Sequence, residues 1–248
     1  MAESGPGKII LFEDFTGQEK PVGNTDTTGF IGPFRIVGET LADTDAGIVN
    51  LESDGLNGIA QLTSPNADND SIGLTTSVMF DVGLMGTLVA ETRVRLADLD
   101  TKEVFFGFSN VVDDTAGLEG KIIHGASTTL TLSASASCGF MLSSELTEDE
   151  MWHRVFNGGT TTGITSSTAA ETGVDAVAGE FDVLRLEIDT NGTARYWVNG
   201  DLNATVVNAV STSVDLALAL FVEIKGTGAV ETIDCDYLLV KASRDWTR

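Results

Sequence analysis

The chain has 248 residues, of which 42% are hydrophobic, 14 are Lys or Arg and 37 are Asp or Glu. The formal net charge of −23 repels phosphate backbones and anionic lipid, which excludes sequence-independent nucleic-acid binding and disfavours membrane docking. The hydrophobic fraction suffices for a sizeable core, and the length fits one large all-β domain.

Period-two alternation of apolar and polar residues dominates the first half of the chain and predicts β-strands. These strands are predicted at residues 9–15, 47–51, 59–62, 78–80, 87–96, 104–109 and 139–143. A helical turn is predicted only at 147–152, where Thr147 is placed to cap and Glu150 follows three residues later. Residues 157–179 are rich in Thr, Ser, Gly and Ala, which predicts a loop with one weak strand.

The clearest alternation begins at residue 181. Leu184, Leu186 and Ile188 alternate with charged residues, so this strand has one apolar and one charged face. Asn-Gly pairs at 191–192 and 199–200 predict tight turns, because Asn-Gly tolerates the positive φ of hairpin turns. Further strands are predicted at 194–198, 202–207, 216–224 and 233–239.

Together these patterns predict a single-domain, two-sheet antiparallel β-sandwich over residues 8–248, preceded by a flexible N-terminal arm at residues 1–7. The arm lacks the basic and apolar regions of a signal peptide, so we expect synthesis in a cytoplasm. No stretch approaches the roughly 20 apolar residues that a membrane helix needs.

The cysteines and histidines show no local motif. Cys138 and Cys235 have no metal-like spacing, and we interpret them as buried thiols while leaving open whether they pair. His124 and His153, the only histidines, form neither His-x-His nor His-Glu-x-x-His, so no zinc site is predicted.

Glu187 and Asp189 share a strand face, as do the first two carboxylates of the Glu-x-Asp-x-(x)-Glu strand in laminarinase-like glycosidases. The third carboxylate would fall at Asn191 or Gly192, and neither is acidic. We therefore interpret Glu187 and Asp189 as solvated residues on an outer face. A hydrolase acting through Glu187 is the weaker alternative.

Other acidic positions suggest ion binding. Asp234 and Asp236, with Glu231 nearby, lie about 7 Å apart along one strand and suit an inverting pair or a cation, but we interpret them as a solvent-facing acidic stripe. Oxygen-rich loops at 43–47 and 66–70 lack the full calcium-loop spacing. The sequence therefore predicts no cofactor and leaves Ca²⁺ open.

Of the three tryptophans, Trp152, Trp197 and Trp246, Trp197 is the best candidate for stacking on a sugar. It lies opposite the core face of its hairpin, although aromatic residues of a sandwich more often serve packing. The chain has no Gly-x-Ser-x-Gly elbow and no phosphate-binding glycine motif, so no catalytic residue is predicted.

Two segments, 184–200 and 231–240, resemble concanavalin A-like, laminin G-like jelly-roll proteins, including members from tailed bacteriophages. The opening 11–15 and the aromatic strand ending at Phe108-Ser109 are also similar. The resemblance implies a non-enzymatic virion protein, such as a capsid decoration (cement) protein. It would lie on the head exterior with the major capsid protein as partner, and a homo-oligomer is compatible. The alternative is a carbohydrate-binding, lectin-like module of a fibre or adhesin, with Trp197 as the contact.

Overall fold

The structure is a computed structural model that describes residues 2–3, 7–16, 29–38, 47–50, 58–76, 79–112 and 117–245. Over these residues the chain forms two nine-stranded antiparallel sheets, one separate hairpin and two four-residue helices. The predicted two-sheet sandwich is confirmed. None of the helices in this described part has the length and apolar character needed to span a membrane.

The first sheet contains β1 (Ala2–Glu3), β2 (Lys8–Glu13), β5 (Gly47–Asn50), β6 (Ala60–Thr63), β9 (Leu88–Arg95), β16 (Phe181–Ile188), β17 (Ala194–Val198), β18 (Asp201–Val206) and β20 (Thr232–Ser243). The second contains β3 (Phe30–Ile31), β4 (Phe34–Val37), β7 (Ser71–Thr76), β8 (Phe80–Asp81), β10 (Lys102–Ser109), β13 (Ser137–Ser143), β14 (Met151–Asn157), β15 (Glu171–Asp175) and β19 (Asp215–Ile224). The hairpin is β11 (Ile123–Ala126) with β12 (Thr129–Leu132), and the helices are α1 (Leu118–Lys121) and α2 (Ser167–Ala170).

The strand order brings distant parts of the chain together. The first sheet runs β1-β2-β20-β9-β16-β17-β18, with β6 also paired to β20 and β5 to β6. The second runs β15-β14-β13-β10-β19-β7-β4-β3, with β8 also paired to β19. In each sheet a strand from late in the chain lies between strands from earlier parts: β20 lies between β2 and β9, and β19 lies between β10 and β7. Each sheet is therefore complete only when its C-terminal strand has paired.

The main core fills the space between the two sheets. The first sheet contributes alternate residues of β16 and β17, so the predicted inward faces of Leu184, Leu186, Ile188 and Tyr196 are confirmed. The facing sheet contributes aromatic side chains of β10 and β13 and leucines of β19. This alternation buries one face of the first sheet and leaves the other in contact with solvent.

The second sheet is buried on both faces. Its outer face carries Phe105, Met141, Val155 and Phe221, all almost fully buried. They pack under the helices α1 and α2, the β11–β12 hairpin and the residue between α1 and β11, which together contribute the following residues: Leu118, Ile122, Ile123, Leu130 and Ala170. The central strands β10, β13 and β19 therefore contain almost no exposed residue.

Three polar contacts, made by Tyr196 and Trp152, join the sheets across the main core. The Tyr196 hydroxyl of the first sheet donates to the Val155 carbonyl of the second at 2.9 Å and lies 3.0 Å from Cys138 Sγ. Because the hydroxyl has one proton, the Cys138 thiol is the donor in the second contact. Trp152 Nε1 of the second sheet donates to Asp182 Oδ2 of the first at 2.9 Å. Each contact satisfies a buried polar group and fixes the sheets relative to one another.

Both cysteines are free and buried, which confirms their interpretation as buried thiols. Cys138 lies in β13 of the second sheet and Cys235 in β20 of the first. Burial raises the pKa of each thiol to about 12, so neither is a reactive thiolate near neutral pH.

Several local predictions need correction. Residues 147–150 form bends and a turn rather than a helix, and Met151 already begins β14, because Trp152 and Phe156 must face the main core from an extended strand. Within the predicted N-terminal arm, Ala2–Glu3 pair with β2, and residues 1 and 4–6 lie outside the described part. The predicted division into an arm and one domain stays a prediction.

We expect Tyr196→Phe to lower the free energy of unfolding by about 1–2 kcal/mol, because it removes the buried hydroxyl that bonds to Val155 and Cys138. Urea unfolding measures the change. Tyr237→Phe is the matched control, since the other tyrosine bonds to Glu91 at a half-buried surface position and should cost less. Equal costs for the two variants would contradict the bridging role of Tyr196.

Candidate functional site

A shallow depression of about 380 Å³ lies on the outer face of the first sheet. It is lined by Glu91 of β9, by Val183, Arg185 and Glu187 of β16, by Trp197 of β17, and by Gly200. Alternation places all of these strand residues on the side opposite the main core, because their neighbours Leu184, Leu186 and Val198 face inward.

A row of interacting side chains crosses four strands through this depression. In the strand register Arg185 lies opposite both Glu91 and Trp197. Arg185 Nη1 donates to Glu91 Oε2 at 2.9 Å, and its guanidinium carbon lies 5.8 Å from the centre of the Trp197 ring. The hydroxyl of Tyr237, on β20, donates to the other oxygen of Glu91 at 2.9 Å. We call Tyr237, Glu91, Arg185 and Trp197 the cross-strand row.

Trp197 lies where the sequence predicts, on the outer face and partly exposed. Trp152 is fully buried in the main core, and Trp246 lies outside the described residues. Trp197 therefore remains the candidate for a sugar contact, and this role stays a prediction.

Glu187 and Asp189 lie on the predicted outer face but are not simply solvated. Glu187 accepts hydrogen bonds from Arg185, and Asp189 accepts one from Arg195 Nη2 at 2.6 Å. The hydrogen bond from Arg195 lowers the pKa of Asp189 despite partial burial. These pairs hold the carboxylates in fixed positions beside the depression.

The interpretation of Asp234 and Asp236 as a solvent-facing stripe is wrong. Both are largely buried, and each is ion-paired with an arginine of β9 at 2.7 Å, Asp234 with Arg95 and Asp236 with Arg93. The two guanidinium groups in turn lie over the Phe181 ring, at 3.9 Å for Arg93 and 4.8 Å for Arg95. Register pairing between β9 and β20, which cannot be seen along the sequence, brings these charges together.

The depression combines the partly exposed indole of Trp197 with one guanidinium group and two carboxylates, and hydrogen bonds between these charged groups fix their positions. Carboxylate oxygens of Glu91 and Glu187 accept hydrogen bonds, and the guanidinium of Arg185, whose side chain is 38% exposed, donates them. An aromatic surface next to such donors and acceptors suits a ligand with apolar faces and many hydroxyl groups.

A second cluster of charged side chains lies on the outer side of the second sheet. Glu103 of β10 and Glu223 of β19 are direct neighbours across the strands, and both are fully buried. The ammonium group of Lys225 lies between them, 3.3 Å from Glu103 Oε2 and 2.9 Å from Glu223 Oε1. It also bonds to Glu119 of α1 at 2.7 Å and lies 3.3 Å from His124 Nδ1 of β11.

The electrostatics of this cluster follow from burial. Desolvation raises the pKa of Glu223 to about 7, although Lys225 acts in the opposite direction. A hydrogen bond to Glu103 raises the pKa of His124. Burial tends to raise the pKa of Glu119, but Lys225 outweighs it and lowers that pKa. The cluster is thus an excess of carboxylates held around one ammonium group.

Sequence patterns miss this cluster. Its members come from separate segments, and a buried glutamate on an apolar strand, such as Glu103 before the aromatic run of β10, is the only local signal. Of the two oxygen-rich loops for which the sequence leaves Ca²⁺ open, residues 43–46 of the first lie outside the described part. In the other, residues 66–70, Asn69 bonds to Lys225 at 3.0 Å.

No protein-family model matches the chain, and no curated protein matches it in sequence. The fold of the chain does match those of solved structures. A protein of unknown function from Shewanella oneidensis MR-1 aligns over 100% of this chain and 92% of its own, with TM-score 0.58 and 12% identity. The endo-β-1,3-glucanase of Pyrococcus furiosus covers 98% of both chains, with TM-score 0.55 and 13% identity. The carbohydrate recognition domain of Emp46p, in a potassium-bound form, covers 84% and 88%, with TM-score 0.52 and 9% identity.

These similarities show that the fold is a concanavalin A-like jelly-roll sandwich. They also correct the expectation that the chain is not an enzyme, because glucanases are among the proteins that share its fold. At such low identity the likeness establishes the fold alone.

The buried cluster gives a pH prediction. Glu223 is protonated more readily in the folded chain than in the unfolded one, so its contribution to stability is present below pH 4.5 and lost as the pH rises through about 7. Relative to the parent protein, Glu223→Gln should therefore gain stability between pH 5 and pH 8, on the order of 2 kcal/mol. Glu103, Glu119, His124 and Lys225 face the same carboxyl and are unchanged in this comparison.

Chemical unfolding of both proteins at a series of pH values measures this gain. Glu180→Gln, which changes an exposed glutamate outside the cluster, is the control and should show a flat difference. A flat difference for Glu223→Gln as well would show that Glu223 is not held protonated by burial.

Proposed function

We propose that the protein binds carbohydrate through the depression on the outer face of its first sheet. The observation that supports this most directly is the cross-strand row, in which Trp197, Arg185 and Glu91 lie side by side on three adjacent strands. The rigid strands hold an aromatic face and hydrogen-bonding groups in one surface, which lowers the entropy cost of binding.

The charges of the depression favour an uncharged glycan. Arg185 is paired with the carboxylates of Glu91 and Glu187, so the surface carries fixed donors and acceptors with little unpaired positive charge. The net charge of −23 repels acidic polysaccharides before they reach the surface. A neutral glucan is not repelled by this charge.

The structural neighbours are compatible with this proposal. One is a carbohydrate recognition domain, and another is an endo-β-1,3-glucanase. β-1,3-Glucan oligosaccharides are therefore the first ligands to test, followed by a diverse glycan array.

The virion role implied by the resemblance stays a prediction. A decoration protein on the capsid exterior, with the major capsid protein as partner, agrees with the acidic composition, which would keep the chain away from packaged DNA. No contact within the described residues favours this role over glycan binding. The two are compatible if the sugar surface faces outward from a particle.

We expect saturable binding of at least one neutral glycan by the parent protein and a loss of about tenfold or more for Trp197→Ala, because the stacking surface is removed. Trp197→Phe should retain part of the affinity. Phe30→Ala is the matched control, since Phe30 is an exposed aromatic residue of the other sheet. A blank array, or equal affinity in Trp197→Ala, would refute the proposal.

The same samples can be assayed for release of reducing sugar from β-1,3-glucan. If the bound glucan is cleaved, Glu187→Gln shows whether the carboxylate beside Arg185 takes part. Loss of turnover with retained binding would assign catalysis to this face. Turnover that survives in Glu187→Gln would assign it to another site.

A further inference from the structure

We infer that the glycan site extends from Trp197 to a second aromatic platform, formed by Phe12 and Tyr237, and that it takes a chain of about five sugar units lying across the strands. This inference rests on the proposed function, and it adds the direction and the length of the ligand. We call Phe12 and Tyr237 the aromatic pair.

The strand register places the aromatic pair in line with the cross-strand row. Phe12 of β2 lies opposite Leu239 of β20, and Leu239 lies opposite Glu91 of β9. Glu91 lies opposite Arg185 of β16, which lies opposite Trp197 of β17. One continuous line of residues therefore runs across five neighbouring strands, from Phe12 to Trp197.

The aromatic pair faces the same solvent as Trp197. Leu11 packs against the main core, so Phe12, the next residue of the same strand, lies on the outer face. The rings of Phe12 and Tyr237 lie 6.2 Å apart between centroids, and both are partly exposed. The hydrogen bond from Tyr237 to Glu91 fixes the second ring. The line thus has an aromatic surface at each end.

The separation of the two platforms sets the length of the ligand. Phe12 and Trp197 are four strand intervals apart, which at about 4.8 Å for each interval gives a distance of about 19 Å. A pyranose unit of an extended chain advances by roughly the spacing between neighbouring strands, so about five units reach both platforms. A disaccharide reaches only one of them.

The middle of the line supplies hydrogen-bonding groups for the inner sugars. The Arg185 guanidinium and the Glu91 carboxylate are paired at 2.9 Å and lie between the two platforms. Leu239 is only 9% exposed and does not obstruct the line. Beyond Trp197 the register continues to Leu202 of β18, which is 55% exposed, so a longer chain can continue past the site. The arrangement suits an internal segment of a neutral polysaccharide.

A chain lying along one strand would meet a less suitable surface. Phe181 is the outward aromatic residue of β16, four positions before Arg185. The guanidinium carbons of Arg93 and Arg95 lie over its ring, at 3.9 Å and 4.8 Å from the centroid. A sugar would have to displace these groups before it could stack there. The available aromatic surfaces therefore favour a chain that crosses the strands.

We test this by isothermal titration calorimetry of the full chain with β-1,3-linked glucose oligosaccharides, from the disaccharide to the hexasaccharide. Affinity should rise about tenfold or more between the disaccharide and the pentasaccharide, because only the longer ligand stacks on both platforms. Phe12→Ala should remove most of this rise and leave the affinity for the disaccharide unchanged. Phe12→Leu, which keeps an apolar side chain without a ring, should have the same effect and decides the question if Phe12→Ala fails to fold.

Phe181→Ala is the matched control, since it truncates an aromatic residue on the same face but outside the line. It should leave the dependence on chain length intact. Loss of that dependence in Phe181→Ala but not in the Phe12 variants would show that the chain runs along the strands. Equal affinity for all lengths, with binding still abolished in Trp197→Ala, would overturn this inference and leave the proposed function standing. If none of these oligosaccharides binds, the inference is also wrong, and the glycan array decides the proposed function separately.

Discussion

Burial of the second sheet on both faces is the constraint on which the remaining features depend. Phe105 and Phe221 on its outer face are covered by α1 and the β11–β12 hairpin. Any charged residue on these strands must therefore find partners inside the protein, which is the physical origin of the cluster around Lys225. The covering layer also closes that face to large ligands.

The first sheet is solvated on its outer face. Its central strands β9, β16 and β17 alternate strictly, so every second residue points to solvent. Arginines at these outer positions each find a carboxylate partner on a neighbouring strand or turn. Paired charges, together with Trp197 and Phe181, give a surface that is ordered but partly accessible. Such a surface is better prepared for a neutral polar ligand than for nucleic acid.

The sequence predicts most clearly those strands in which one face is solvated. The strands at 181–188 and 194–198 agree with β16 and β17, since period two is visible there. The strand Ser71–Thr76, which is buried on both faces and shows no alternation, is missed, whereas the equally buried β10 and β19 are predicted from their runs of aromatic and aliphatic residues. The Asn-Gly turn at 199–200 behaves as predicted, with positive φ at both residues, whereas at 191–192 only Gly192 has positive φ. Trp197 could be found from its outward position, but the arginine partners of Asp234 and Asp236 depend on register between distant strands.

The central claim is that ligands bind on the outer face of the first sheet, and the most direct measurement is an NMR titration of the tryptophan indole groups with β-1,3-glucan oligosaccharides. The account predicts a saturable shift of the Trp197 indole signal, while Trp152, buried between the sheets and bonded to Asp182, stays unchanged. A ligand that binds with the Trp197 signal unmoved would contradict the account and place the binding surface elsewhere.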